Sequence, residues 1–583
     1  PEERVLRAED QAENPTIRLA GVLPVFGRTP DAVTNMAKAG TLIARAGEVV
    51  AGGLAELPSG TAALAPEAGV IPLQPLRRLA PSLEEARGLL ADAAAVLVAS
   101  PTRGLLRSVA QAQAELVVQL DRAERAITAA AALSRVLPPY LGGEGTRRYF
   151  LAAQNPAELR GTGGFIGAYA IVTVRGGELE LGDFRPIDTL PDVPPGRIEP
   201  PNPDYAARYD AFGGAGFWRN INMTADFPSA AVAIERLYEE VRGVRLDGAM
   251  AADPMALAAL MEAAGGVTVP GTDRTLDAET AVAFLANEAY AVFPDSRTRK
   301  SILGDVAEAV LDRFLEGGFP GGPAGAARAL VEAGADGHLL LHSAHPREQA
   351  GFVRAGVAGA LGGAGGDYLA VVANNAAANK IDFYARRSIR YEVRLGAEGS
   401  ATGDLTVTLE NPAPRSGPPA YVIGPYSDEF EAGENASILD VYCSRACGLE
   451  RVAVDGKTAI AGAASELGHV VFTNEVRLES GATRTLEYRR SLPAAWEGDD
   501  SAGVYRLTFR GQPTIRPTPL LVDIRVPEGT EIVRASPRMQ VSGGRAVWEG
   551  TAGDLMTFEV EFQRPALSRM WRDVVRFLSR PVG

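Results

Sequence analysis

The sequence predicts a multidomain chain with an N-terminal all-α bundle, a central layered α/β domain and one or more C-terminal antiparallel β-sandwich domains. Three observations predict it. The chain has 583 residues, which at about 100–200 residues per domain asks for roughly three or four units. Its hydrophobic pattern changes period twice, dividing the chain at 1–140, 141–365 and 366–563. The composition, 46% hydrophobic and 22% charged, is that of a globular chain, while 64 Gly and 40 Pro imply many loops.

Residues 1–140 carry helical periodicity with good helix formers. Leu105, Val109, Ala112, Leu116, Leu120, Ala123 and Ile127 recur at three-to-four spacing. Ser82 followed by Glu85 reads as a capping box after a Pro-rich loop around Pro66 to Pro81. The unit reads as a bundle serving as stalk or spacer. In 141–365, Tyr149 to Ala153 reads as a buried strand and NPAELRGTGG as a polar turn. Two strands hinged at Gly176-Gly177 follow. Helical segments such as SAAVAIERLYEEVRG and PMALAALMEAAGG then flank a short strand pattern, LDGAMAAD. That alternation argues for layered α/β structure. From residue 366, short alternating runs punctuated by Gly, Pro and Asn give the β-sandwich expectation. The tail 564–583 reads as a basic amphipathic helix, with Leu567, Met570, Trp571 and Val574 on one side and Arg569, Arg572, Arg576 and Arg580 on the other. It suits an anionic membrane surface or a docking site on the protein itself.

The charge excludes whole classes of partner. A net −14, from 72 acidic and 58 basic residues without a block of like charges, gives no footprint for nucleic acid. Only Lys38, Lys300, Lys380 and Lys457 among the basic residues are lysine. His338, His342 and His345 lack neighbouring acidic or cysteine ligands in the sequence and read as surface or core histidines. Cys443 and Cys447 fit a local disulfide of an extracellular protein, with free thiols as the alternative. No run reaches about 18 apolar residues. The chain begins at Pro1, so a preceding piece is expected, whether signal, anchor or tail.

Three charged clusters could carry chemistry. In NPAELRGTGGFIG, Glu158 and Arg160 flank a turn whose Gly163, Gly164 and Gly167 would let backbone approach a ligand. The run after it is β-like, which disfavours a nucleotide loop. In DFRPIDTLPD, Asp183, Arg185, Asp188 and Asp192 crowd a strand end. In FPDSRTRKSIL, Asp295, Arg297, Arg299 and Lys300 stand at a helix start, where cations oppose the macrodipole and so suggest a bound anion. A solvated charged turn is the other reading.

QNPAELRGTGGFIGAYAIVTVRGGEL, NINMTADFPSA, LDGAMAADPMALAALMEAAGGVTVPG and NEAYAVFPDSRTRKSIL together resemble a bacterial cell-surface family, domain of unknown function 4012. That family is distantly similar to the LytR-CpsA-Psr glycopolymer transferases. In the place of the transferases' motifs stand Arg160, then Arg185 with Asp188 and Thr189, then Gly265-Gly266-Val267, then Arg297, Arg299 and Lys300. The first motif's aspartate has no counterpart in RGTGGFIG. The resemblance implies an envelope enzyme that moves a polyprenyl-pyrophosphate-linked glycan onto a cell-wall polymer, anchored to the membrane by a preceding segment or the C-terminal helix. It implies Asp188, Arg185, Arg297 and Arg299 as catalytic and Arg160, Lys300, Gly163, Gly164 and Asp295 as ligand-binding residues. Asp183 with Asp188 would hold Mg2+, and helices 250–264 and 279–292 would line a slot for the lipid. The competing expectation is a non-catalytic extracellular binding or scaffold protein that keeps the fold.

Overall fold

The computed structural model describes residues 29–565 apart from 102, 103 and 500. The amphipathic helix expected over 564–583 therefore lies, from residue 566 on, outside the described residues, as does any segment before Thr29. Helices Thr29–Ala55, Leu73–Val98 and Arg107–Pro138 pack side by side over a core that includes Ala39, Ala46, Ala86, Leu90, Ala93 and Leu120. The second helix starts at Leu73 and runs through Pro81, so Ser82 is not its cap. A proline inside a helix costs about 3 kcal/mol, but Leu79, Leu83, Ala86 and Leu90 keep one continuous buried face across it. No helix among the described residues is long and apolar enough to cross a membrane.

The central region is built on a mixed sheet. Its strands are β1 (Arg147–Arg160), β2 (Gly163–Arg175), β3 (Glu178–Leu181), β4 (Arg185–Pro186) and β5 (Gly248–Ala252). A separate ribbon of β6 (Val267–Thr268) and β7 (Thr275–Leu276) precedes β8 (Leu339–Ser343). The sheet order is β3-β2-β1-β5-β8, with β4 beside β2. β1 runs parallel to β5 and antiparallel to β2. Strand alternation then sorts the faces. Phe150, Ala152, Ala249 and Ala251 enter a core shared with Ala230, Ile234 and Leu237 of helix Phe227–Arg242. Leu151, Ala153, Met250 and Ala252 face the opposite way, onto a cavity.

β1 corrects the expected polar turn. The strand continues to Arg160, with register shifts after Ala153 and between Asn155 and Leu159, and the turn is only Gly161-Thr162. The polar side chains that suggested a loop are buried and bonded to one another. Gln154 Nε2 donates to Thr162 Oγ1, and Asn222 Nδ2 donates to Thr162 Oγ1 and the Gly164 carbonyl.

The C-terminal region is strand-rich. Two eight-stranded sheets share a core in which Val371, Leu439 and Phe509 of one meet Tyr391, Val407 and Val522 of the other. Strand Asp367–Asn375 is buried along its whole length, because Tyr368, Ala370 and Val372 on its other face pack on Ala225 and Leu361 of the central region. Arg208 crosses the same boundary to Asp440 (2.7 Å) and Glu466 (3.0 Å), both buried. Cys443 and Cys447 form a disulfide with Cα atoms 5.9 Å apart.

Candidate functional site

The inner face of the central sheet is one wall of a cavity of about 270 Å³, near the lower end of the range for small-molecule sites. Leu257 and Leu260 of helix Pro254–Ala264 form the second wall. Leu303, Ala307 and Leu311 of helix Ser296–Leu315 form a third, and Leu285 closes the space between them. The family resemblance implies an apolar wall on helices 250–264 and 279–292; the helix Ser296–Leu315 adds its own stripe. Gly167 of β2 lines the cavity, and a Cβ built on it meets nothing within 4 Å. A side chain there would start into open space.

The cavity is mostly apolar; Asn155, Tyr290, Arg299, Lys380 and Tyr421 gather at one place in its lining, and Gln154, Asp253 and Lys300 are its other polar residues. Lys380 is 2% exposed, and its Nζ donates to Glu158 Oε2 at 2.7 Å. The rings of Phe165, Tyr290 and Tyr421 stand 5.5–5.7 Å from that nitrogen, close enough for cation–π attraction. Burial disfavours the ammonium, but Glu158 beside it more than compensates, and its pKa is raised. Burial likewise pushes Glu158 up, and Lys380 and Arg160 together hold it below the usual carboxylate value. Arg299, 4% exposed, lies over the rings of Tyr290 (4.6 Å) and Tyr421 (5.1 Å). Its Nη1 donates to the carbonyls of Phe293 and Pro294. Among the described residues neither its Nε nor its Nη2 makes a hydrogen bond, so donors remain for a ligand.

The residues singled out from the sequence fall into distinct places. Arg299 and Lys300 line the cavity, and Lys300 Nζ stands 3.4 Å from Asp188 Oδ2. Asp188 sits in the 3-10 turn Ile187–Thr189 and is half-exposed. Arg297 is exposed and outside the lining. Asp295 caps the helix start, accepting the Thr298 amide, and stays on the surface. Arg160 is buried beside the cavity without lining it. Its guanidinium donates to Glu158 and to the carbonyls of Leu159, Arg219 and Asn375. Gly163 and Gly164 face strand β1 rather than the cavity, and a Cβ on Gly164 would stand 2.3 Å from the Asn155 carbonyl carbon. Arg185 and Asp183 are exposed, 3.9 Å apart.

The donor set does not fit magnesium. Asp183 and Asp188 each have a cation as nearest partner, Arg185 and Lys300, which opposes a divalent ion at either carboxylate. Among the described residues no three His, Cys, Asp or Glu side chains gather as metal ligands. His338, His342 and His345 instead meet three different carboxylates, Asp253, Glu235 and Asp247.

Asn155, Tyr290, Lys380 and Tyr421 were missed. Lys380 and Tyr421 lie beyond residue 366, in a part of the chain that the sequence reading kept separate from the site. One signal was present: Lys300 and Lys380 are two of only four lysines among 58 basic residues, and both line the cavity.

Residues 144–290 match the model of a family described as "Protein of unknown function (DUF4012)". No curated protein matches the chain. Among solved structures, a putative nutrient binding protein from Legionella pneumophila is 9% identical, with a TM-score of 0.21 over 37% of this chain and 77% of that one. Yeast LTA4 hydrolase in complex with bestatin is 9% identical, with a TM-score of 0.19 over 30% of this chain and 28% of its own. An M1 zinc metallopeptidase from Deinococcus radiodurans is 14% identical, with a TM-score of 0.17 over 30% of this chain and 41% of its own. This chain thus spans less than half of each of the last two.

Proposed function

We propose that the chain binds an amphiphilic lipid at the cell envelope, with its apolar chain in the cavity and a phosphate-bearing head against Arg299 and Lys380. A polyprenyl phosphate or pyrophosphate carrying a glycan has this chemistry. The reading takes the central region as LytR-CpsA-Psr-like and the two C-terminal sheets as a β-sandwich that completes the site. One observation carries it. Two buried cations, Arg299 and Lys380, line the polar end of an apolar cavity and a third, Arg160, stands behind it; among the described residues Glu158 pairs with Lys380 and Arg160, while Arg299 has no ion-pair partner. Buried charge without a partner is costly, and an anionic head beside an apolar chain offsets it.

Asp188 against Lys300 favours a second reading, the transferase. An acceptor hydroxyl would bond to the glycan-bearing phosphorus while its proton passes to Asp188. The bridging P–O bond would break toward the lipid phosphate, whose charge Arg299 and Lys380 would stabilise. The experiment is binding of polyprenyl phosphate and of the neutral polyprenol to wild type and to Arg299→Gln. The phosphate should bind better than the alcohol and lose about tenfold affinity in the variant. Equal affinities throughout would refute the head-group assignment. Release of lipid phosphate from a glycan-linked pyrophosphate, abolished in Asp188→Asn, would support transfer. Binding without release would leave a non-catalytic lipid-binding protein.

A further inference from the structure

We propose a second anion site, outside the cavity, in the clefts around Arg386, Arg387 and Arg516, which takes a phosphate- or carboxylate-bearing ligand such as an acidic saccharide. Three adjoining clefts share Arg387 in their lining, and the outermost, of about 280 Å³, also carries Arg386, Arg516, Ser388 and Thr408.

Among the described residues Arg387 has no carboxylate in contact. Its Nη1 donates to the Val371 carbonyl and to Gln512 Oε1, both at 3.1 Å. Its buried Nε has no partner among the described residues. Burial pushes the guanidinium down to about 10, with Asp382 opposing, as expected for a cation kept from water and lacking a counter-ion. Arg516 is exposed and spends its Nε on the Phe383 carbonyl. Arg386 is exposed with Glu410 at 4.0 Å, the limit of an ion pair. Asp382 lines the innermost cleft, but its oxygens accept from Leu159 N, Asn375 and Asn435. Of the other carboxylates lining the three clefts, Asp554 pairs with Arg510 at 3.5 Å, Asp336 is exposed beside His338, and Glu410 is loosely held by Arg386, so among the described residues none neutralises Arg387 or Arg516 by a contact pair. Forked donors with unspent N–H groups suit a planar or tetrahedral oxyanion.

The site adjoins the cavity without being part of it. Leu159 and Asp382 line the innermost cleft, while Glu158, one residue earlier, holds Lys380 in the cavity. Gln512 joins the two sides, accepting from Arg387 and donating to the Arg160 carbonyl. A ligand in these clefts would lie across the end of β1 from the lipid head. The inference stands whether or not the lipid reading holds.

The test is calorimetric titration of the full chain with inorganic phosphate, glucuronate and glucose. At least one of the two anions should bind and glucose should not; the anion that binds identifies the group recognised. Arg386→Gln/Arg516→Gln, which changes two exposed side chains, should weaken that binding by about tenfold, and Arg387→Gln should do so where it folds. Arg299→Gln reports whether the anion sits in the cavity instead. Failure of both anions to bind would overturn the proposal, and so would binding that survives the double substitution or is lost in Arg299→Gln.

Discussion

Lys380 holds a charge almost out of reach of water, and among the described residues Glu158 and three aromatic rings make that tolerable. Lys380→Met should cost about 3–5 kcal/mol, because Glu158 is then buried with Arg160 as its remaining ionic partner. Adding Glu158→Gln should recover part of the loss, and denaturant unfolding of the two variants checks this. A second residue couples pH to the cavity wall. His338 Nδ1 lies 2.7 Å from Asp253 Oδ2, and Asp253 caps helix Pro254–Ala264. Burial pushes the imidazole down and Asp253 more than compensates, raising it above its ordinary 6.5. Because the folded-state value is the higher, this stabilisation is complete below pH 6.5 and is lost as pH rises through the raised value. The melting temperature of wild type should therefore exceed that of His338→Gln most at pH 5–6, with the gap closing toward alkaline pH. Little of this was legible in the sequence. A lysine and a histidine carry no sign of burial there, and their partners lie 222 and 85 residues away.

At the scale of elements, apolar periodicity told most and polar stretches misled. The helices over 227–242, 254–264 and 296–315 follow the hydrophobic pattern closely, because each buries one face. The segment Asn155–Arg160 does not, since its polar side chains are satisfied inside the protein: Asn155 donates to the Tyr290 hydroxyl and accepts the Ala157 amide, Glu158 accepts from Lys380 and Arg160, and Arg160 also donates to the Leu159, Arg219 and Asn375 carbonyls. Gly164 is fixed by that arrangement. Gly164→Ala would drive a methyl group into the Asn155 backbone and should cost about 1–3 kcal/mol or more. Gly88→Ala, inside helix Leu73–Val98 with nothing within 4 Å of the new methyl, should instead stabilise by about 0.5–1 kcal/mol. Thermal unfolding of the two variants should shift in opposite directions.

For the whole molecule, the succession of helices, mixed α/β structure and strands was readable from changes of period. The joining of the last two regions was not. That joint rests on tertiary pairs such as Arg208 with Asp440 and Glu466, and it is what brings Lys380 and Tyr421 to a cavity built mainly by the central region. Arg208→Met leaves two buried carboxylates uncompensated and should lower stability by about 3–5 kcal/mol, seen as an earlier calorimetric transition. The central claim is that the cavity holds the lipid chain. Gly167→Leu tests it most directly, because the position lines the cavity and a Cβ there meets nothing within 4 Å. Measured as polyprenyl phosphate affinity beside melting temperature, the account predicts lost lipid binding with an unchanged or raised melting temperature. Undiminished lipid binding by the folded variant would contradict it.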